Sequence, residues 1–269
     1  MSAPAGPQGR RAAEAVAEAI RAQRAYEEAR RTRLGAGAER ITRPVGGAFA
    51  RAVPPEMVRA ALRAADRLAG VSLSELEHDP ADLAACEAAA RRVQAWASGG
   101  NAASGFAAGW FGAAGVTADI PATLTLAARN VRATGLAFGV TGQGTEEAAF
   151  RLMVLEVATA QADAGRQERL DELNRMAEWL ASPGGRLVLE KGGEWVSEKI
   201  VERVARQLGA SLAGRKAGQV VPLVGGAVAA AVNASFQTDV GRAARYAYRQ
   251  RWLMSRRLIG GPSDAAGEA

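Results

Sequence analysis

Alanine and glycine supply much of the apolar content of this 269-residue chain, and this restricts what it can fold into. Hydrophobic residues make up 48% of the sequence but aromatic residues only 5%, so large side chains are scarce. A core of small side chains fills its space only when backbones approach one another closely, as packed helices do. We therefore expect closely packed helices, in a chain long enough for one or two domains.

Strand signals are nearly absent, whereas helical spacing recurs along most of the chain. No run alternates β-branched or aromatic residues with polar ones, and neither Asn-Gly nor Asp-Gly occurs as a hairpin turn. The sequence predicts an all-α fold, a multi-helix globular bundle. Its centre is expected to be two Gly/Ala-rich segments, 102–117 and 220–236, packed together as a buried hairpin, with partial insertion into lipid as the alternative.

Three regions are expected along the chain. Residues 1–50 are predicted to form a charged N-terminal helix, either peripheral or a mobile arm, and then a loop. Residues 51–258 form the helical domain, and residues 259–269 a disordered tail.

Helix boundaries within the domain follow from Pro and Gly. Helices are expected after Pro54-Pro55, after Asp79-Pro80 and over 186–209. The helix after Pro80 is expected to end at Gly99-Gly100, which would make 99–117 a glycine-rich hinge.

Residues suited to catalysis or metal binding are few. His78 lies between two acidic residues just before a helix, which is typical of a solvated turn histidine, and Cys86 is expected to be a small buried side chain. One His and one Cys do not make the usual zinc sites or a Ser-His-acid triad, and no phosphate-binding glycine loop occurs. No catalytic residue, metal or cofactor is predicted, and the chain is not expected to be an enzyme.

Charge and hydropathy indicate the partners and the location. The net charge is +6, almost all from arginine, which favours anionic partners. Nucleic acid is not expected, because no recognised binding motif is present. With no secretory signal, no run of about 20 apolar residues and a single cysteine, the chain is expected to be cytoplasmic.

The C-terminal helix, expected to start near Thr238-Asp239, is predicted to be basic and amphipathic. Its polar residues share an arc of about 80° and include a tryptophan suited to a membrane interface. They are Arg242, Arg245, Arg249, Trp252 and Arg256. Such a face suits the phosphates of anionic lipid, and a solvated basic surface is the alternative.

Two further residues of interest are Arg251 and Asp119. Arg251 falls among apolar residues of that same helix, so it needs a carboxylate partner or must extend to solvent, and we favour solvent. Asp119, followed by Ile120-Pro121, is expected to cap a helix running from about residue 120 to residue 138.

Two stretches, ADIPATLTLAARN at 118–130 and residues 220–253, resemble the bacterial EcsC family. The resemblance covers roughly 55–257 and leaves residues 1–50 outside. Its matching positions, whose role in the family is unsettled, are Asp119, Pro121, Asn233, Phe236 and Arg251, with Arg245 and Arg249. Relatives carry a Tyr-Gly element after the central helix, where this chain has Phe138-Gly139.

The family is named for its place beside an ABC transporter. The basic face of the C-terminal helix and this resemblance together lead us to expect a non-catalytic binding protein at the inner face of the cytoplasmic membrane. Anionic lipid is the expected ligand, from the basic face, and a membrane transporter is a candidate partner, from the resemblance. The alternative is an enzyme acting on a lipid or other amphiphile. That alternative requires Asp119, Asn233 and nearby arginines to converge in one cleft.

Overall fold

The computed structural model describes residues 6–28, 60, 77–110, 112–142, 144–160, 165–182, 202–203 and 225–260. Six long helices lie in these ranges: α1 (Pro7–Glu28), α2 (Leu83–Trp110), α3 (Gly112–Ala137), α4 (Thr145–Thr159), α5 (Arg166–Ala181) and α6 (Gly225–Ser255). The described residues contain no strand, so the predicted all-α, multi-helix fold is confirmed. The helices predicted after Pro54-Pro55 and over 186–209 fall almost wholly outside the described residues, as does the tail from residue 261.

Helix α6 is the centre of the fold. It contacts each of the other five helices, most extensively α2. Three of its aromatic side chains, Phe236, Tyr246 and Tyr248, are almost completely buried. Because neighbours enclose the helix on several sides, its polar residues cannot all reach solvent, and two arginines, Arg249 and Arg251, are buried.

The α2–α3 hairpin differs from the sequence expectation. Helix α2 continues through Gly99-Gly100 to Trp110, and one residue separates it from α3. Asp119 therefore lies inside α3, two turns past its start, so the predictions of a helix end at Gly99-Gly100 and of a cap at Asp119 are wrong. A helical glycine costs only about 1 kcal/mol relative to alanine. The extensive contact of α2 with α6 outweighs that cost.

Pro121 is also an interior residue of α3 rather than a first-turn residue. It has no N–H to donate to the preceding turn, yet the helix continues to Ala137. One turn later, the Thr125 hydroxyl donates to the Pro121 carbonyl at 2.8 Å.

Helix α1 is packed against α6 and α2. Only Ala19 and Gln23 of this helix are buried. Of the two alternatives for this helix, a peripheral helix and a mobile arm, the peripheral helix agrees better with these contacts.

Candidate functional site

A cavity of about 260 Å³ lies where α1, α2 and α6 meet. Apolar side chains, four of them alanine, form its walls: Ala15, Ala19 and Ala22 from α1, and Leu83 and Ala84 from α2. Five charged residues line the rest of it, namely Glu18, Glu87, Arg91, Arg245 and Arg249. The cavity thus combines alanine walls with a concentration of arginine.

Helical spacing explains why these charges meet. Arg245 and Arg249 are four residues apart on α6, and Glu87 and Arg91 are four apart on α2, so each pair lies on one face of its helix. Glu18 is exposed on α1 at the edge of the cavity. The small residues of α1 and α2 allow the three backbones to approach, which places the charged faces around one space.

Arg249 is buried and bonded to neighbouring side chains. It is only 6% exposed, and its Nε donates to Glu87 Oε1 at 2.5 Å. Its Nη1 donates to the side-chain oxygen of Gln23 at 2.9 Å. These contacts fix the guanidinium and neutralise its charge.

Arg245 differs from its neighbour. Within the part of the chain that the structure describes, its buried Nε has no hydrogen-bond partner. Burial lowers the pKa of Arg245, and the nearby charges of Arg249, Arg91 and Arg242 lower it further, while Glu87 opposes them. Among the residues that the structure describes, no carboxylate forms a salt bridge with Arg245, and a positive charge of this kind favours an anionic ligand.

A partly buried polar network holds α1 against the other helices. The Tyr246 hydroxyl donates to Glu27 Oε1 at 2.7 Å and accepts from Asn174 Nδ2 at 2.9 Å, while its ring stacks on Tyr26 with centroids 4.6 Å apart. Burial raises the pKa of Tyr26 to about 12, so that hydroxyl stays neutral. Arg166 donates to the last carbonyls of α1, those of Tyr26 and Glu27, at 2.8 and 3.0 Å. The α1 wall of the cavity is thus fixed by specific bonds.

The predicted basic face of α6 is divided in the structure. Arg249 and Trp252 are buried, so a fully exposed stripe ending in an interfacial tryptophan does not form. The Trp252 indole donates to the Pro80 carbonyl at 2.9 Å, and the guanidinium of the exposed Arg256 lies 3.8 Å from its ring centroid. Arg242 and Arg245 are partly exposed. Whether these residues bind an anionic ligand stays a prediction.

Arg251 is paired in the interior. It is 5% exposed, and its two Nη atoms donate to Glu147 at 2.7 and 2.8 Å. The favoured expectation, that Arg251 extends to solvent, is therefore wrong, and the carboxylate alternative describes the structure. Glu147 belongs to α4, and the sequence offers no signal that links the two positions.

Asn233 and Phe236 are buried on α6 and are not among the residues lining the cavity. Nearby, Asn130 donates to the backbone and side-chain oxygens of Gln237 at 3.2 and 3.3 Å. Gln237 in turn donates to the Thr123 carbonyl at 3.2 Å. These bonds join the two stretches that carry the family resemblance, which gives those stretches a structural role. The side chain of Asp119 lies outside the described residues.

His78 and Cys86 are not among the residues that line the cavity. His78 is half-buried and its Nε2 donates to the Ala137 carbonyl at 2.7 Å, so the expected solvated histidine is wrong. Cys86 is buried as expected, and burial raises the pKa of its thiol to about 11. No group of three His, Cys, Asp or Glu among the described residues is arranged to bind a metal.

Residues that the sequence reasoning missed are Glu18, Gln23, Glu87 and Arg91. The four-residue spacing of Glu87 and Arg91 indicates that the two residues share one face of a helix. The sequence does not indicate which other helices that face contacts.

Among the helices that the structure describes, none is both long and apolar enough to cross a bilayer.

Comparison with known proteins gives one match. The EcsC protein family matches residues 16–253, which is most of the chain. The match begins inside α1 and so includes the cavity wall from Glu18 onward, whereas residues 1–50 were expected to lie outside. No curated protein and no solved structure matches the chain.

Proposed function

The chain belongs to the EcsC family, and we propose that it is a non-catalytic binding protein that holds an anionic lipid headgroup at the cytoplasmic membrane surface. The observation that supports this is Arg245, a partly exposed residue whose buried Nε has no hydrogen-bond partner among the described residues, at a cavity that two further arginines line. A buried charge without a partner is unfavourable. The binding free energy of an anion that pairs with Arg245 should therefore be more favourable than that of the same anion at an exposed arginine.

A membrane surface is the proposed source of that anion. The net charge of +6 attracts the protein to anionic lipid, and each basic residue near such a surface contributes about 1 kcal/mol at best. Arg242, partly exposed one turn before Arg245 on α6, adds to this attraction. A membrane transporter is a proposed partner because of the association for which the family is named.

Catalysis on the lipid is the alternative function. It requires Asn233 in the same cleft as the arginines, and Asn233 is buried on α6 and does not line this cavity. The Cys86 thiol, with its raised pKa, is protonated at neutral pH and is a poor nucleophile.

The test is flotation of the protein with vesicles of phosphatidylcholine that do or do not contain phosphatidylglycerol. We expect binding only to the anionic vesicles, and weakening by salt because the attraction is electrostatic. Arg245→Gln should weaken binding at least about tenfold, since a charge-assisted hydrogen bond contributes about 1.5–3 kcal/mol.

The matched control is Arg175→Gln, which removes the same charge from an exposed position on α5. It should bind almost as the unmodified protein does. If the unmodified protein ignores anionic vesicles at low salt, the proposed function is wrong. Equal weakening by both variants would mean that net charge, and not the cavity, controls binding.

A further inference from the structure

We infer that the cavity selects a monoanionic phosphodiester whose head alcohol carries hydroxyl groups, and that it discriminates against a phosphomonoester. This inference rests on the proposed function and names the ligand class of that same site. Its basis is the charge, the acceptor atoms and the volume of the cavity.

The charge of the cavity matches a single negative charge. Three guanidiniums and two carboxylates line it, which leaves one positive charge in excess. Arg249 and Glu87 already neutralise each other, and Arg245 is the inner cation that lacks a partner among the described residues. The ligand's anionic group therefore belongs at Arg245.

A second negative charge on the ligand would have no well-placed cation in the cavity to pair with. The remaining cation, Arg91, has 57% of its side chain exposed, so water and salt screen it. A phosphomonoester carries about 1.5 to 2 negative charges at pH 7, and its excess charge would lie near Glu87 and Glu18. A phosphodiester carries one charge and avoids that repulsion.

The carboxylates also indicate what surrounds the phosphate. An ionised carboxylate accepts hydrogen bonds and donates none, so a ligand beside Glu87 and Glu18 must supply donors. Glu87 Oε2 lies 3.9 Å from Arg91, too far for a hydrogen bond, and keeps capacity to accept. Hydroxyl groups supply donors without adding charge, which preserves the match to one positive charge. A glycerol headgroup has this chemistry.

The volume limits how much of a lipid enters. Pockets for drug-sized molecules are about 300–1,000 Å³, and this cavity, at about 260 Å³, is smaller. It has room for a phosphate with a short polyol, whereas acyl chains would remain in the bilayer. A soluble glycerophosphodiester therefore presents the part of the ligand that the cavity contacts.

The experiment compares vesicles of phosphatidylcholine that contain phosphatidylglycerol, a diester, with vesicles that contain phosphatidic acid, a monoester, at equal measured surface charge. We expect binding to phosphatidylglycerol to be tighter by at least about tenfold, because that ratio corresponds to the contribution of one charge-assisted hydrogen bond. Soluble glycerophosphoglycerol should compete with the vesicles, whereas inorganic phosphate should compete poorly.

The matched variant is Glu18→Gln, which keeps the shape of an exposed side chain at the cavity edge and removes its charge. We expect it to reduce the preference for the diester by strengthening binding to phosphatidic acid. Equal or tighter binding of the unmodified protein to phosphatidic acid would overturn this inference and leave the proposed function intact. Failure of the soluble diester to compete would show that the bilayer surface, rather than the cavity, is recognised.

Discussion

At the scale of single residues, the buried Arg251–Glu147 pair shows why an arginine on an apolar face is tolerated. Both guanidinium Nη atoms donate to the carboxylate, and the centroid of the Phe150 ring lies 5.8 Å from the guanidinium carbon. Separately, each charge would be costly at this depth, and together they satisfy each other. The pair therefore ties α6 to α4 only while both members are present.

Removing one member of this pair should destabilise the protein far more than replacing both members by apolar residues. Glu147→Leu leaves the Arg251 guanidinium buried without its carboxylate, which should lower the free energy of unfolding by about 3–5 kcal/mol. The double variant Glu147→Leu with Arg251→Met should recover most of that loss, because no charge remains buried. Urea unfolding of the two single variants and the double variant measures this. A double variant as unstable as the worse single one would show that the pair is not the cause.

At the scale of elements, α1 is held by polar contacts as well as by partly buried apolar side chains, Val16, Ile20 and Tyr26, that pack against the core. Its buried residues are only Ala19 and Gln23, whereas the Tyr246 hydroxyl, Arg166 and Arg249 all bond to it. A helix attached in this way opens at a lower free energy than the apolar core does. The cavity wall that α1 forms should therefore respond to the loss of a single bond.

Tyr246→Phe removes the hydroxyl that donates to Glu27 and accepts from Asn174. We expect faster amide hydrogen exchange across α1 and a loss of about 1–2 kcal/mol in stability. Tyr248→Phe is the matched control, because it deletes the same atom from a ring that faces Gly135 on α3. If both variants change exchange in α1 equally, the hydroxyl of Tyr246 does not hold that helix.

At the scale of the whole molecule, the sequence predicted the class of the fold better than its contacts. The lack of strand patterns and the Ala/Gly content were sufficient for the all-α assignment, because both are properties of local sequence. The partners of Arg249 and Arg251, namely Glu87 and Glu147, are 162 and 104 residues away. Spacing within one helix carries no information on such pairs, so the cavity and the buried charges could not be predicted.

The Ala/Gly composition also makes a prediction for the packing of the whole bundle. A Cβ atom added at Gly135 on α3 would lie 2.7 Å from Cζ of Tyr248 on α6, a rigid ring that cannot move away cheaply. Gly135→Ala should therefore destabilise the protein by about 1–3 kcal/mol, although alanine is the better helix former by about 1 kcal/mol.

Gly99 on α2 is the matched control, because a Cβ atom added there meets nothing within 4 Å. Gly99→Ala should stabilise the protein by up to about 1 kcal/mol through helix propensity alone. Thermal melts of the two variants measure the contrast. We expect Gly135→Ala to lower the melting temperature and Gly99→Ala to raise it. The reason is that the close approach of α3 and α6, and not helix formation, requires glycine at residue 135. A stabilising Gly135→Ala would mean that the two helices do not need this approach, and the composition would then have no role in holding the bundle together.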